Sequence, residues 1–371
     1  MRLVTIRPET GDEAGDAGAS RPRPAVVLAS GRLLTFGALA RVAGWPVSDG
    51  MDQLSLAELL AADPEFGAIR DALEKSDPAA LEDAAIDPAT VRLSAPIPRP
   101  GKIVGVGYNY LEHIREQGLE RPTRPVLFSM FANAVVADGD PIRHPAGTHA
   151  LDLEAELAVV IGRRASRVAP AEAERCVAGY TVANDVTARD WQGQAKALRP
   201  GEKGDGQWLR AKGSDTFLPL GPVLVTPDEV RAGGSPRAGG SPGAGGAPGS
   251  GRGLAVRSWH TAAAGPDANR PFQMQDGNTS DLLFDIADLI SIISSEVTLD
   301  PGDVIVTGTP SGVGVFREPQ IFLEPGDLVK VEVEGIGSLT NPITDEEGRA
   351  PAGSPAARFM AELAAGEGAA R

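Results

Sequence analysis

Apolar and polar positions alternate over Leu153-Glu154-Ala155-Glu156-Leu157-Ala158-Val159-Val160-Ile161, the pattern of a β-strand. Side chains alternate across a strand, so Glu154 and Glu156 share one face. Leu153, Ala155, Leu157, Val159 and Ile161 take the other, which suits a core. Short apolar runs predict further strands at 2–6, 25–29, 102–106, 125–128, 176–185, 223–225, 254–256 and 304–307, and a last alternating one at 328–334. The run 176–185 ends in Asn184-Asp185. Helical spacing occurs at 54–60 and 66–73, and most clearly at 281–295, where Leu282, Leu283, Ile286, Leu289, Ile290 and Ile293 recur at i, i+3, i+4. Thr279 or Ser280 is the expected N-cap of that helix. Tyr110 to Gln117 fits a short helix closed by Gly118.

Composition refines this picture. Gly (45) and Pro (31) are abundant and aromatics make up only 5%, which favours many turns and short strands over a helical bundle. With 371 residues, 42% of them hydrophobic, the chain suits one large or two modest domains. The expected division is a small N-terminal module over 1–95, ending near a Pro-rich linker, a main domain over 96–345, and a frayed tail over 346–371. Residues 233–253 are Gly-, Pro- and Ser-rich and are expected to be a flexible insertion. A formal net charge of -15 argues against nucleic-acid and anionic-membrane partners. Cys176 stands alone, so no intrachain disulfide forms, which fits a reducing cytoplasm. No apolar run approaches the ~20 residues of a membrane span. The acidic, Gly-rich start lacks the apolar stretch of a secretory signal.

Candidate chemistry gathers on the carboxylates. Glu154 and Glu156 on one face, with Asp185 at the end of a neighbouring strand, form an all-oxygen set that selects a hard divalent ion: Mg²⁺, Mn²⁺ or Ca²⁺ rather than zinc. The competing reading is a solvated strand face. His113 and Glu116, three apart on a helix, are neighbours, either an oriented base or a surface pair. Lys212 precedes Gly213 at an expected turn, where it is either functional or an ordinary surface charge. Gly308-Thr309-Pro310-Ser311-Gly312-Val313-Gly314 lacks the Lys of a phosphate loop and reads as a tight turn presenting Thr309 and backbone N–H groups.

Six stretches, in order, resemble the fumarylacetoacetate hydrolase family: GVGYNYLEHIRE (105–116), DLEAELAVVIG (152–162), AGYTVANDVTARDWQ (178–192), KGSDTFLPLGP (212–222), DGNTSDL (276–282) and LDPGDVIVTGTPSGVG (299–314). The resemblance implies a β-rich α+β fold, a mixed β-sheet roll with a metal near its mouth, usually in a homodimer. It implies that Glu154, Glu156 and Asp185 hold the metal and that His113 and Glu116 form a water-activating dyad. Lys212 would lie by the substrate oxygens, with Arg189, Gln192 and Thr309 lining a small anionic keto-acid substrate. One departure is Ser129-Met130-Phe131, where many small members carry Lys-Pro. The expected activity is metal-dependent hydrolysis of a C–C bond in a β-diketo acid of the acylpyruvate, fumarylpyruvate or diketo-sugar-acid kind. The alternative is an isomerase, decarboxylase or hydratase acting on 2-hydroxy-dienoates or 2-oxo acids with the same metal. A catalytically silent metal-binding scaffold is the reading from outside enzymology.

Overall fold

The computed structural model describes residues 1–7, 21–46, 48–230 and 250–365. Strands dominate, as the composition predicts. The main path of an eleven-stranded sheet runs through Leu33–Thr35, Arg23–Val27, Arg2–Ile6, Leu218–Val225, Val177–Asn184, Ala155–Ile161, Val304–Val306, Ile103–Gly107 and Val126–Met130. The pairing is mixed. Val304–Val306 lies parallel to Ile103–Gly107, whereas Ala155–Ile161 is antiparallel to both of its neighbours. A second sheet of five strands is built on Ala255–Thr261, Pro271–Asn278, Leu328–Val333 and Gly337–Thr344.

Ala155–Ile161 is buried along its whole length, because the main sheet is covered on both faces. Ala158 and Val160 join a core shared with the helices Phe36–Val42, Leu56–Ala62 and Gly67–Lys75. Leu157, Val159 and Ile161 join the opposite core, with Val331, Val333 and Leu339 of the second sheet and Ile286, Leu289, Ile290 and Ile293 of a long helix. The alternation read from the sequence therefore separates two cores rather than core from solvent.

The described strands of residues 1–95 are built into this arrangement. Arg2 and Leu3 pair with Val225 and Leu224, and Leu3, Val26 and Leu34 share a core with Ile103 and Val304. The Pro-rich stretch expected to be a linker is largely buried, with Ala95 and Ile97 in that core.

Several expected boundaries move. The long helix spans Ile286–Glu296, and its N-cap is Asp285, whose carboxylate accepts from the Asp288 N–H at 3.0 Å. Thr279–Asp281 is a single 3₁₀ turn. Leu282, at ψ 127°, is extended and breaks the run, and Asn109 holds the next two residues outside the helix: its backbone carbonyl takes the Leu283 N–H and its side-chain oxygen the Phe284 N–H, at 2.7 and 2.8 Å. The tail is not frayed throughout. Pro355–Ala364 forms a helix capped by Ser354, with Ala356 buried. Residues 233–249 of the expected insertion lie outside the described residues. Ser250 and Gly251 are buried, and the Gly251 carbonyl accepts from the Thr279 hydroxyl at 2.8 Å, so a flexible segment cannot extend to 253.

Candidate active site

Antiparallel register builds the acidic cluster. Ala155 faces Asn184 across the strand pair, so Glu154, just before one strand, meets Asp185, just after the other. The Asp185 N–H donates to the Glu154 carbonyl at 2.9 Å, and the Glu154 N–H to the Asn184 side chain at 3.0 Å. Glu156 enters from the strand itself. One carboxylate oxygen from each of Glu154, Glu156 and Asp185 lies within 4.8 Å of the others, and all three residues are buried. Their exposures of 5%, 1% and 1% rule out a solvated strand face.

Lys212 is not at a turn. It closes the short helix Trp208–Lys212, and its side chain points inward. Its ammonium donates to Glu154 at 2.8 Å, Asp185 at 2.5 Å and the Thr187 hydroxyl at 2.9 Å. Arg189 pairs with Glu154 through Nη1 at 2.7 Å and with Asp152 through Nε at 2.9 Å. Its Nη1 also donates to Gln192 at 3.3 Å. Buried ion pairs persist only when charge and hydrogen bonds are both matched. Here four buried carboxylates, Asp152, Glu154, Glu156 and Asp185, face two buried cations. The deficit of two is the charge of a divalent ion.

Two observations agree with that deficit. Oδ1 of Asp185 is buried without a hydrogen-bond partner. Burial, Asp185 and Glu154 together push the Glu156 carboxyl well above its ordinary range. Burial also raises Asp185, against the pull of Lys212. Burial alone would raise Glu154, but Lys212 and Arg189 hold it below the usual carboxylate range. The donor set therefore fits a hard divalent ion.

His113 lines the same cavity as Glu154 and Asp185. His113 and Glu116 lie on the helix Leu111–Glu116, with His113 Nδ1 and Glu116 Oε2 2.7 Å apart. An ionised Glu116 fixes the proton on Nδ1 and leaves Nε2 with its lone pair. The ring packs edge-on to Phe316, with centroids 5.7 Å apart.

The glycine-rich loop does present backbone N–H groups, and they serve the protein's own carboxylates. Gly308 donates to Glu156 at 2.6 Å, Gly312 to Glu116 at 2.9 Å, and Gly314 and Val315 to Asp152 at 2.8 and 3.1 Å. Gly312, at φ +104°, takes a conformation open mainly to glycine. The Thr309 hydroxyl donates to the Ala155 carbonyl at 3.0 Å and accepts from Gln275 at 2.7 Å. A cavity of about 410 Å³ brings together His113, Glu154, Asp185, Arg189, Gln192, Lys212 and Thr309. Glu156 is not among the residues that line it.

Reading the sequence missed two features. Asp152 stands in the acidic motif, but its partnership with Arg189 depends on a contact 37 residues away. The cavity's aromatic wall, Tyr108, Phe128 and Trp208, comes from three separate segments with no shared spacing.

Residues 102–344 match a family model described as the C-terminal part of fumarylacetoacetate (FAA) hydrolase. The human mitochondrial oxaloacetate tautomerase FAHD2A is 41% identical over 253 residues, which cover 68% of this chain and 69% of that protein. The Xenopus laevis mitochondrial oxaloacetate tautomerase fahd2 is 39% identical over 255 residues, 69% of each chain. Among solved structures, a 2-hydroxyhepta-2,4-diene-1,7-dioate isomerase from Mycobacterium marinum is 36% identical over 71% of this chain and 81% of its own, with a TM-score of 0.52. A fumarylacetoacetate hydrolase from Exiguobacterium antarcticum is 29% identical over 93% of this chain and 99% of its own, with a TM-score of 0.66.

Proposed function

The chain belongs to the fumarylacetoacetate hydrolase family, and we propose that it interconverts the keto and enol forms, or shifts the double bond, of a 2-oxo acid with the help of a divalent ion. The observation that carries this reading is one oriented base, His113 with Glu116, whose imidazole lines one cavity with Glu154 and Asp185 of an acidic cluster two charges short of balance. The similarity to proteins named as tautomerases and an isomerase supports it over the hydrolysis expected first from the motifs.

Glu154, Glu156 and Asp185 would hold the ion, which when bound supplies Lewis-acid polarisation of the 2-oxo group. Arg189 lines the cavity and would pair with the substrate's C1 carboxylate. Lys212 adds a fixed positive charge where the enolate oxygen develops. In the keto-to-enol direction His113 Nε2 would take a C3 proton and hand it to the 2-oxygen, and in the reverse direction it would take the enol O–H proton and return it to C3; for a double-bond shift the proton would go back at C5 instead, so the substrate neither gains nor loses atoms. Glu116 steadies the imidazolium that forms, and its own position is held by the Gly312 N–H.

The test follows enol absorbance of oxaloacetate with the metal-free protein, then with Mg²⁺ or Mn²⁺ added, and analyses the products. Metal-dependent ketonisation without new products supports the proposal. Replacing His113 with Ala should slow it by about 10²–10⁴-fold. The same dyad can take a proton from water, which keeps C–C hydrolysis as a second reading. Metal-dependent formation of pyruvate and a second acid from an acylpyruvate, with no effect on the oxaloacetate enol, would establish hydrolysis instead.

A further inference from the structure

We propose that Gln275 is the positioning residue of the ion site: its side-chain amide fixes the backbone between Glu154 and Glu156 and commits the Thr309 hydroxyl to that backbone. This role rests on the divalent-ion reading above and on no particular reaction.

The need for such a residue comes from where a strand ends. Val304–Val306 pairs with Ala158, Val159 and Val160 and stops there. Beyond it, the edge that carries the acids loses its neighbouring strand. The glycine-rich loop follows that edge through other groups. The Thr307 hydroxyl donates to the Leu157 carbonyl at 2.8 Å, the Gly308 N–H to the Glu156 carboxylate at 2.6 Å, and the Thr309 hydroxyl to the Ala155 carbonyl at 3.0 Å. The Ala155 N–H has no loop acceptor; it donates to Oε1 of Gln275 at 2.9 Å. Nε2 of Gln275 donates in turn to the Thr309 hydroxyl at 2.7 Å. Ala155, Gln275 and Thr309 thus close a ring of three hydrogen bonds around the one residue that separates two of the ion's expected ligands.

Gln275 reaches this point from the second sheet, where it lies opposite Ser258. Its remaining capacity is filled: Oε1 also accepts from the Ser258 hydroxyl at 2.8 Å, and Nε2 donates to the Pro310 carbonyl at 2.8 Å. An amide offers two donors and two lone pairs, and here all four are used. The reverse orientation would set an N–H against the Ala155 N–H, so the network fixes which end is which. Gln275 and Ser258 are 1% and 0% exposed, which makes each bond costly to lose. The amide is also uncharged, so it orients the acids without adding to their surplus of negative charge. Close packing holds the loop against the same strand: Gly277 against Pro310, and Gly312 against the Met274 carbonyl, have no room for a Cβ. For the cavity the consequence lies in Thr309. Its proton goes to Ala155 and one lone pair takes the Gln275 amide, so a ligand meets an acceptor and not a donor.

The test measures Mn²⁺ binding to the full-length protein by calorimetry, and the symmetry of the bound ion by electron paramagnetic resonance, both without substrate. Gln275→Leu keeps the bulk and removes every bond of the amide. It should weaken Mn²⁺ binding about tenfold or more, the scale on which groups that orient ion ligands act, and change the resonance of the ion still held. Asn341→Ala is the control. That buried amide of the second sheet donates to the Ala137 and Asp140 carbonyls at 2.9 and 2.8 Å and does not line the cavity. Its loss should lower the melting temperature and leave Mn²⁺ affinity within about twofold. If Gln275→Leu fails to melt cooperatively, Thr309→Val opens the same ring at another corner. It should weaken Mn²⁺ binding about tenfold, and Thr309→Ser, which keeps the hydroxyl, should restore it. Unchanged affinity in a folded Gln275→Leu or Thr309→Val protein, or an equal loss in Asn341→Ala, overturns the role of Gln275 and leaves the ion reading standing. An unaltered protein that binds no Mn²⁺ overturns both. Neither readout involves turnover, so a failed oxaloacetate assay would remove the proposed reaction and not this role.

Discussion

Asp152 touches Arg189 through Oδ2, and its two oxygens take the N–H groups of Leu153, Gly314 and Val315. It thereby neutralises part of a guanidinium that also holds Glu154. Asp152→Asn removes that charge while keeping the shape. One acceptor oxygen becomes a donor facing N–H groups that already point at it, and each buried hydrogen bond left unmade costs about 1–3 kcal/mol, so chemical denaturation should show a loss of that order. Among the acids themselves, protons compete with the ion. Burial, opposed by Lys212 and aided by Glu154, pushes Asp185 up to about 7, and Glu156 is also raised. In the ion-free protein these raised carboxyls lower stability as pH climbs above the ordinary carboxylate range, and the part due to Asp185 is fully present above about 7. Loading an ion requires both carboxyls ionised, so affinity should weaken as pH falls below 7. The rise in melting temperature caused by Mn²⁺ should be larger at pH 8 than at pH 6, and Glu154→Gln should abolish it at both. A shift independent of pH would contradict this account.

The glycine-rich loop and the helix Leu111–Glu116 act together at the scale of elements. Gly118, at φ +67°, follows that helix as expected, and its N–H bonds the Arg115 carbonyl at 2.9 Å. Asn109, just ahead of the helix, ties it to the rest of the site. Its amide donates to the Thr307 carbonyl at 2.8 Å and the Phe284 carbonyl at 3.1 Å. The same residue holds Leu283 and Phe284 outside the long helix by taking their N–H groups. Asn109→Ala would leave several buried backbone groups unpaired, each costing about 1–3 kcal/mol. We expect a marked drop in melting temperature and a dyad no longer held at the acids' cavity, seen as a fall in kcat larger than the change in ion affinity. Helical periodicity was legible here, but its starting point was not. An N-cap signal at Thr279 or Ser280 is local, whereas the donors it would need are taken by a residue 170 positions earlier in the chain.

At the scale of the whole molecule, the strands Arg2–Ile6, Arg23–Val27 and Leu33–Thr35 from the first 95 residues are part of the sheet that carries the site. Arg2–Ile6 covers the edge of Leu218–Val225, and that strand pairs in turn with Val177–Asn184. Removing residues 1–95 would uncover this edge and open the core containing Ile103, Val160 and Val304. Such a truncation should lose its near-ultraviolet circular dichroism and its cooperative melting; a sharp transition would show that the remainder folds alone. Among the described residues no helix is long and apolar enough to cross a membrane. What the sequence determined by itself was whatever depends on local order: the strand that carries Glu156 with Glu154 just ahead of it, the i, i+3 pairing of His113 with Glu116, the glycine that closes their helix, and the family motifs. Tertiary structure alone decided that both faces of the central strand are buried, that Lys212 turns inward, that Asp152 meets Arg189, and that three distant aromatic residues form one wall. The division follows from range. Periodicity and turn chemistry act over a few residues, whereas burial, charge balance and cavity shape arise only where segments far apart in the chain share one small volume.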